Sequence, residues 1–212
     1  NVAVDGPIGY KLEVPPMHPV LFSTTLQGFG EAHAQLMREF ATSHAMLALL
    51  RDGFHPQSPG GTVQLRDDGT PLLDYPITDF VWEGVRRSWL AMAELQFAAG
   101  AKRVYVVHEQ CTGYASWAEA KAGIGQLPLK NQLARIVSAH VMGGCGMAAD
   151  GKQGVTDAWG RYRGLGNLSV CDGSLFPTSI GANPQLSVYG LAARNASRLA
   201  EELTKQPAPT LA

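Results

Sequence analysis

The 212-residue chain is 45% hydrophobic and 17% charged, fewer charges than the roughly 25% of ordinary soluble domains, so much of its surface is expected to lie against another domain or subunit. Its 17 Lys+Arg against 18 Asp+Glu leave a net charge of −1, which excludes nucleic acid and an anionic membrane as main partners, since both require clustered positive charge. No apolar run reaches the roughly 18 residues of a membrane span.

The opening Val2 to Pro16 mixes short apolar runs with Gly6, Pro7, Gly9 and Pro15-Pro16, and reads as strand and loop. From Glu31 to Arg51, Leu36, Met37, Phe40, Leu47 and Leu50 recur at helical spacing, with Gly53 as a stop. Two candidate strands, Gly61 to Arg66 and Pro71 to Tyr75, flank Asp67-Asp68-Gly69, a hairpin signal because glycine tolerates the positive φ such turns need. A second helix is predicted over Asp79 to Ala99, capped by Asp79 and stopped by Gly100, with Val81, Val85, Trp89, Met92 and Leu95 facing inward. Lys102 to His108 alternates as a strand, and Ser116-Trp-Ala-Glu119 fits a capping box. Asn167 to Cys171 reads as a short buried strand. Asn183 is the predicted cap of a final amphipathic helix from Pro184 to about Leu203.

The chemistry concentrates in the last third. His140 precedes the tight turn Met142-Gly-Gly-Cys145, whose glycines would let backbone approach a ligand, and histidine is the side chain best suited to take a proton near neutral pH. Asp172-Gly173-Ser174 ends the short strand, where ligands sit in parallel sheets, although taken alone the motif reads better as a turn with a capping Asp. The start of the last helix, behind Gly181-Ala182, presents free N–H groups and partial positive charge to an anion or to a ring that gains negative charge. Elsewhere, His108-Glu-Gln-Cys111 lacks the second pair of a zinc site, and His33 and His44 fall on one predicted helix face. The cysteines Cys111, Cys145 and Cys171 imply no disulfide framework and favour a reducing, cytoplasmic setting.

Taken in order, His140-Val-Met-Gly-Gly-Cys145, Asn167-Leu-Ser-Val-Cys-Asp-Gly-Ser174, Asn183-Pro184 and Leu191-Ala-Ala-Arg-Asn-Ala196 resemble the C-terminal signature of the glucose–methanol–choline (GMC) oxidoreductases. The resemblance covers about Ser138 to Leu203, and the Gly-Gly-Cys and Asp-Gly-Ser-Leu forms look most like the branch of cholesterol oxidases and long-chain alcohol oxidases. It implies an α/β plus α+β architecture. Residues 1–137 would be mainly the substrate-binding portion, a sheet backed by helices. Residues 138–212 would hold the strand and helix that complete a Rossmann-like FAD-binding domain.

By that resemblance the chain is the C-terminal part of an FAD-dependent enzyme that oxidises an alcohol to a carbonyl. His140 would accept the hydroxyl proton, and Asn183 would hydrogen-bond the same oxygen or the flavin. Asp172 and Gly173 would contact the phosphate and ribityl region, with Asn183, Pro184 and Gln185 beside the ring. Gly28-Phe-Gly30 and Gly123-Ile-Gly125 lack the third glycine of a dinucleotide fingerprint. An N-terminal FAD-binding segment or subunit is therefore the expected partner, alongside an apolar or bulky alcohol. The carboxylate expected of the sterol-oxidising branch finds no counterpart near Leu21-Phe22, where Ser23, Thr24 and Thr25 stand. Two rivals remain open: a dehydrogenase using a quinone or cytochrome acceptor, and a module that keeps the fold without the cofactor.

Overall fold

Local turn chemistry decides much of the secondary structure. The computed structural model describes residues 6–53 and 55–207. Among them the chain forms strand β1 (Tyr10–Glu13), helices α1 (Pro19–Thr25) and α2 (Gly30–Arg38), strands β2 (Leu47–Leu50), β3 (Thr62–Leu65) and β4 (Pro71–Asp74), and helices α3 (Asp79–Ala98), α4 (Trp117–Gln126) and α5 (Gln185–Thr204). The predicted hairpin is β3–β4, antiparallel in register Thr62↔Asp74 to Leu65↔Pro71, with Gly69 at φ +80° in its turn. Helix α4 carries its predicted cap: the Ser116 hydroxyl accepts the Glu119 N–H at 3.2 Å. The Glu119 carboxylate reaches back to the Ala115 N–H at 2.9 Å, one residue earlier than a capping box requires.

The expected helix from Glu31 to Arg51 breaks in two. Helix α2 stops at Arg38, a single 3₁₀ turn covers Phe40–Thr42, and Leu47–Leu50 becomes β2, paired antiparallel with β1 from Tyr10↔Leu50 to Glu13↔Leu47. The Thr42 and Ser43 hydroxyls both donate back to the Glu39 carbonyl, which ends the helical ladder. A four-residue apolar run fits either state by itself, and the partner strand decided it. Helix α3 holds its predicted length, but Thr78 rather than Asp79 stands at its cap, and its inner face is Val81, Gly84, Val85, Ser88, Trp89 and Ala93, with Leu95 exposed.

The sheets are small. Both are two-stranded and antiparallel, and the segments expected as strands at Lys102–His108 and Asn167–Cys171 form only isolated bridges, such as Val104↔Tyr114 and Arg161↔Ser169. The architecture is mixed α/β, with no parallel sheet among the described residues. Asn167–Cys171 pairs only with the nearby Gly160–Tyr162, through the two bonds that flank the Arg161↔Ser169 bridge: Tyr162 N–H donates to Leu168 O at 3.0 Å and Val170 N–H to Gly160 O at 2.8 Å.

The chain packs as two compact units, one running through Leu50 plus Ile77–Val137, the other Arg51–Pro76 plus the chain from Ser138. In the first, Val85, Trp89 and Ala93 of α3 close on Ala120 and Ile124 of α4 and on Val106, Cys111, Leu127 and Ala134. The Arg86 guanidinium closes the end of α4 by donating to the carbonyls of Ile124, Gly125 and Leu127. Gly84 is needed there, because a β-carbon would stand 2.2 Å from Ile8. The segment read as a metal half-site is part of this core. His108 donates from Nε2 to Pro128 O at 3.0 Å and accepts the Gln110 N–H at Nδ1 at 3.0 Å, so both ring nitrogens are engaged and the tautomer is fixed. His33 and His44 do not share a helix face: His33 bonds to Ser23 O, and His44, beyond α2, to the Gln96 side chain.

In the second unit α5 lies with Asn195 buried beneath the Trp159-Gly160 turn. Arg194 stacks 3.7 Å over the Trp159 ring and donates to Ala158 O at 2.7 Å. Glu202 pairs with both Arg161 and Arg198. The three cysteines are free: Cys111 buried, Cys145 half-buried and Cys171 exposed. No described helix is long and apolar enough to cross a membrane.

Candidate active site

The residues assigned from the resemblance to catalysis and to the cofactor, His140, Asp172, Gly173, Asn183, Pro184 and Gln185, all fall in the second unit. The glycine turn after His140 is stitched to the Asp172 segment by two backbone bonds, Cys145 N–H to Ser174 O at 3.1 Å and Met147 N–H to Leu175 O at 2.9 Å. Thr156, fully buried, ties the same turn from behind, its hydroxyl donating to Cys145 O at 2.9 Å. Gly143 and Gly144 are required by their φ of +85° and +94°, and a β-carbon on Gly144 would meet nothing within 4 Å. Their positive φ serves the turn itself.

Within the chain itself, a close approach of segments occurs at Gly173. A β-carbon there would lie 3.1 Å from Val141 O, 3.7 Å from Met142 Cγ and 3.9 Å from Val188 Cγ2. Val141 follows His140 directly, and Val188 lies in the first turn of α5, just beyond Asn183, Pro184 and Gln185. Three segments far apart in sequence thus converge on one glycine. His140 is half-buried there, while Asn183 and Gln185 are exposed and Pro184 is buried.

Asp172 caps the short 3₁₀ turn Gly173–Leu175, its Oδ1 accepting the Ser174 N–H at 2.8 Å and the Ser174 hydroxyl at 2.5 Å. The capping reading is therefore what the carboxylate does toward its own chain. The Ser174 hydroxyl first, then the Ser174 amide, hold the Asp172 carboxyl below the usual carboxylate range. A lowered folded pKa means that this stabilisation is present above the ordinary carboxylate pKa and lost as pH falls through the lowered value. Ser174→Ala should move the Asp172 titration upward in a carboxyl-resolved NMR experiment. An unmoved titration would show that the hydroxyl is not the main cause.

Helix α5 starts one residue later than predicted. Its first turn closes with Val188 N–H on Pro184 O at 2.8 Å, so Pro184 and not Asn183 is the cap, and the Pro184 side chain makes no cap hydrogen bond. Proline has no N–H, so Gln185 is the first residue whose amide can donate here. The Gln185 side chain itself donates to the Tyr189 hydroxyl at 2.9 Å. Sequence reasoning missed Arg51, whose stem lies across Gly181, where a β-carbon would come within 2.1 Å of it. No local signal could have found it, because Arg51 comes from the chain before β3, held by the Thr178 hydroxyl on Gly53 O at 2.6 Å.

The sequence model of the C-terminal domain of GMC oxidoreductases matches residues 56–192, well over half of the chain and all of the convergent segments. The chain belongs to the GMC oxidoreductases. Its similarity to individual members is moderate. It is 24% identical over 92% of its length to a GMC-type oxidoreductase of Sinorhizobium fredii, covering 37% of that protein. It is 27% identical over 85% of its length to a long-chain-alcohol oxidase of Arabidopsis thaliana, covering 25% of it. A cholesterol oxidase of Acinetobacter baumannii is 42% identical over 57 residues, 27% of the chain and 10% of that enzyme. The chain thus spans about a quarter to a third of the length of these longer matches. In this GMC C-terminal region, the turn after His140, the Asp172-Gly173 segment and the start of α5 are one continuous arrangement.

Proposed function

We propose that the chain is the C-terminal part of an FAD-dependent oxidoreductase that converts an alcohol CH–OH to a carbonyl. The observation that carries this reading is the convergence of the His140 segment, Gly173 and the first turn of α5. The residues suit the cofactor: Gly173 is half-buried and keeps its backbone clear of a side chain, whose β-carbon would press on Val141 O at 3.1 Å. Asp172 is an exposed carboxylate that accepts hydroxyl and amide protons, as a ribityl chain would require. The start of α5 offers backbone N–H donors and partial positive charge to an electron-rich ring.

In this reading FAD, when bound, supplies the acceptor for the hydride leaving the carbinol carbon. His140 takes the hydroxyl proton, so that hydride and proton together account for both hydrogens lost. Asn183 hydrogen-bonds the same oxygen or the cofactor. Asp172 and Gly173 hold the ribityl and phosphate region, and Pro184 and Gln185 face the ring, Gln185 through its amide. Residues 1–137 serve mainly substrate binding and 138–212 complete the FAD-binding domain, whose N-terminal segment comes from the same or another polypeptide. An apolar or bulky alcohol is the favoured substrate class, in keeping with the names of the long-chain-alcohol and cholesterol oxidases among the relatives. The free cysteines fit a reducing, cytoplasmic setting.

The test is the visible absorption spectrum of the natural gene product at its full length. A yellow protein bleached by alcohol without air is expected, and turnover with oxygen against turnover with an artificial dye then distinguishes an oxidase from a dehydrogenase. A folded, colourless product would overturn the reading in favour of a cofactor-less binding module.

A further inference from the structure

The chain before β3 is joined to the chain before α5 by a set of short contacts. Gly53 is held on both sides. Its N–H donates to the hydroxyl of Ser58, a residue only 4% exposed, at 3.0 Å, and its carbonyl accepts the Thr178 hydroxyl at 2.6 Å. Gly53 stands at φ +86°, and a β-carbon on it would lie 2.4 Å from Thr178 Oγ1, so no side chain fits at this join. One residue earlier, the Asp52 carboxylate accepts the Tyr75 hydroxyl, and the Tyr75 ring lies against Gly61 at the base of the β3–β4 hairpin. Burial first, and then Asp52, pushes the Tyr75 hydroxyl pKa up, so it stays a donor well above neutral pH.

These ties place Arg51, the next residue back. Its stem crosses Gly181 so closely that a β-carbon there would fall 2.1 Å from Arg51 Cγ, 2.3 Å from Cδ and 2.9 Å from Cβ. Gly181 stands at φ +66°, with its N–H on the Ser179 hydroxyl at 3.1 Å. Glycine reaches more backbone conformations than any other residue, so a glycine joint is held by what lies against it. Here that is a row of methylenes, the usual way in which a long cationic side chain packs through its stem. The joint lies two residues before the exposed Asn183 and three before the buried Pro184. A backbone rotation at Gly181 therefore swings Asn183.

We propose that Arg51 is a positioning residue: its aliphatic stem, laid along Gly181, holds the Thr178–Gly181 loop in the conformation that presents Asn183 to the substrate oxygen or the cofactor. This rests on the reading of Asn183 as a site residue of a flavoprotein. Arg51 acts through Gly181 and Asn183, and its stem rather than its charge carries the effect.

The experiment uses the full-length natural gene product carrying Arg51→Ala, Arg51→Met, Asn183→Ala, or Arg51→Ala with Asn183→Ala. Turnover with alcohol is read beside deuterium uptake in a peptide spanning residues 178–185. Arg51→Ala should lower kcat by roughly 10–100-fold, as displacing an orienting group by about 1 Å does, with KM and FAD content little changed. The same variant should exchange the amides of that peptide several-fold faster. Arg51→Met keeps an unbranched apolar stem of similar reach without the charge, and should restore both quantities. The double variant should be no slower than Asn183→Ala alone, since residues that act through one another are not additive. Losses that multiply in full would overturn the proposal, as would unchanged deuterium uptake in Arg51→Ala. A slow Arg51→Met would give the role to the guanidinium and overturn it as well. A colourless product would withdraw the flavin reading, and faster uptake in Arg51→Ala but not in Arg51→Met would then still uphold the hold of Arg51 on Gly181.

Discussion

His140→Asn is expected to slow alcohol oxidation by about 10²–10⁴-fold, the usual contribution of a positioned general base, with FAD content unchanged. Asparagine keeps similar size and can still hydrogen-bond the substrate oxygen, but it has no basic nitrogen to take the proton. The half-buried His140 sits beside the Val141 and Met142 contacts to Gly173, and this substitution leaves those contacts in place. The measurement is turnover of the full-length product with saturating alcohol, set against flavin absorbance per protein. Wild-type turnover in the variant would reject His140 as the base. Loss of flavin together with turnover would assign the residue to the architecture of the turn.

Gly160→Ala should destabilise the second unit by about 2–5 kcal/mol, from a left-handed backbone of roughly 1–2 kcal/mol and a steric conflict of roughly 1–3 kcal/mol. Gly160 has φ +76°, and a β-carbon would stand 2.3 Å from Val170 O and 3.0 Å from Asn195 Nδ2. The first of these is backbone, held by the Val170 N–H bond to Gly160 O at 2.8 Å, so it cannot swing aside. Asn195 cannot swing aside either, being buried in the contact between α5 and the turn. The comparison is Gly144→Ala, where φ is +94° but nothing lies within 4 Å. There only the conformational cost should appear, about 1–2 kcal/mol. Thermal unfolding followed by circular dichroism separates the two, and equal shifts would mean that the collision at Gly160 is relieved by movement.

What the sequence disclosed follows the range of the forces involved. The β3–β4 hairpin, α3, and α4 with its serine cap could be read within a residue or so, because each is closed by turn or cap chemistry among near neighbours. Leu47–Leu50 could not, since its partner is Tyr10–Glu13, and neither could Asn167–Cys171, whose backbone is satisfied by the adjacent Gly160–Tyr162. Asn183 was displaced from the cap by one residue because the Pro184 carbonyl closes the first turn. The candidate residues of the site were found through the ordered motifs, not through spacing. Nothing local predicts that Val141, Gly173 and Val188 meet, or that Arg51 lies on Gly181.

The unequal accessibility of the three thiols has a practical consequence. Alkylating reagents should reach Cys171 well before the half-buried Cys145 or the buried Cys111. Cys171 is the immediate neighbour of Asp172, so a fluorophore attached there would stand beside the place where Val141, Gly173 and Val188 meet and would report on binding of the proposed cofactor.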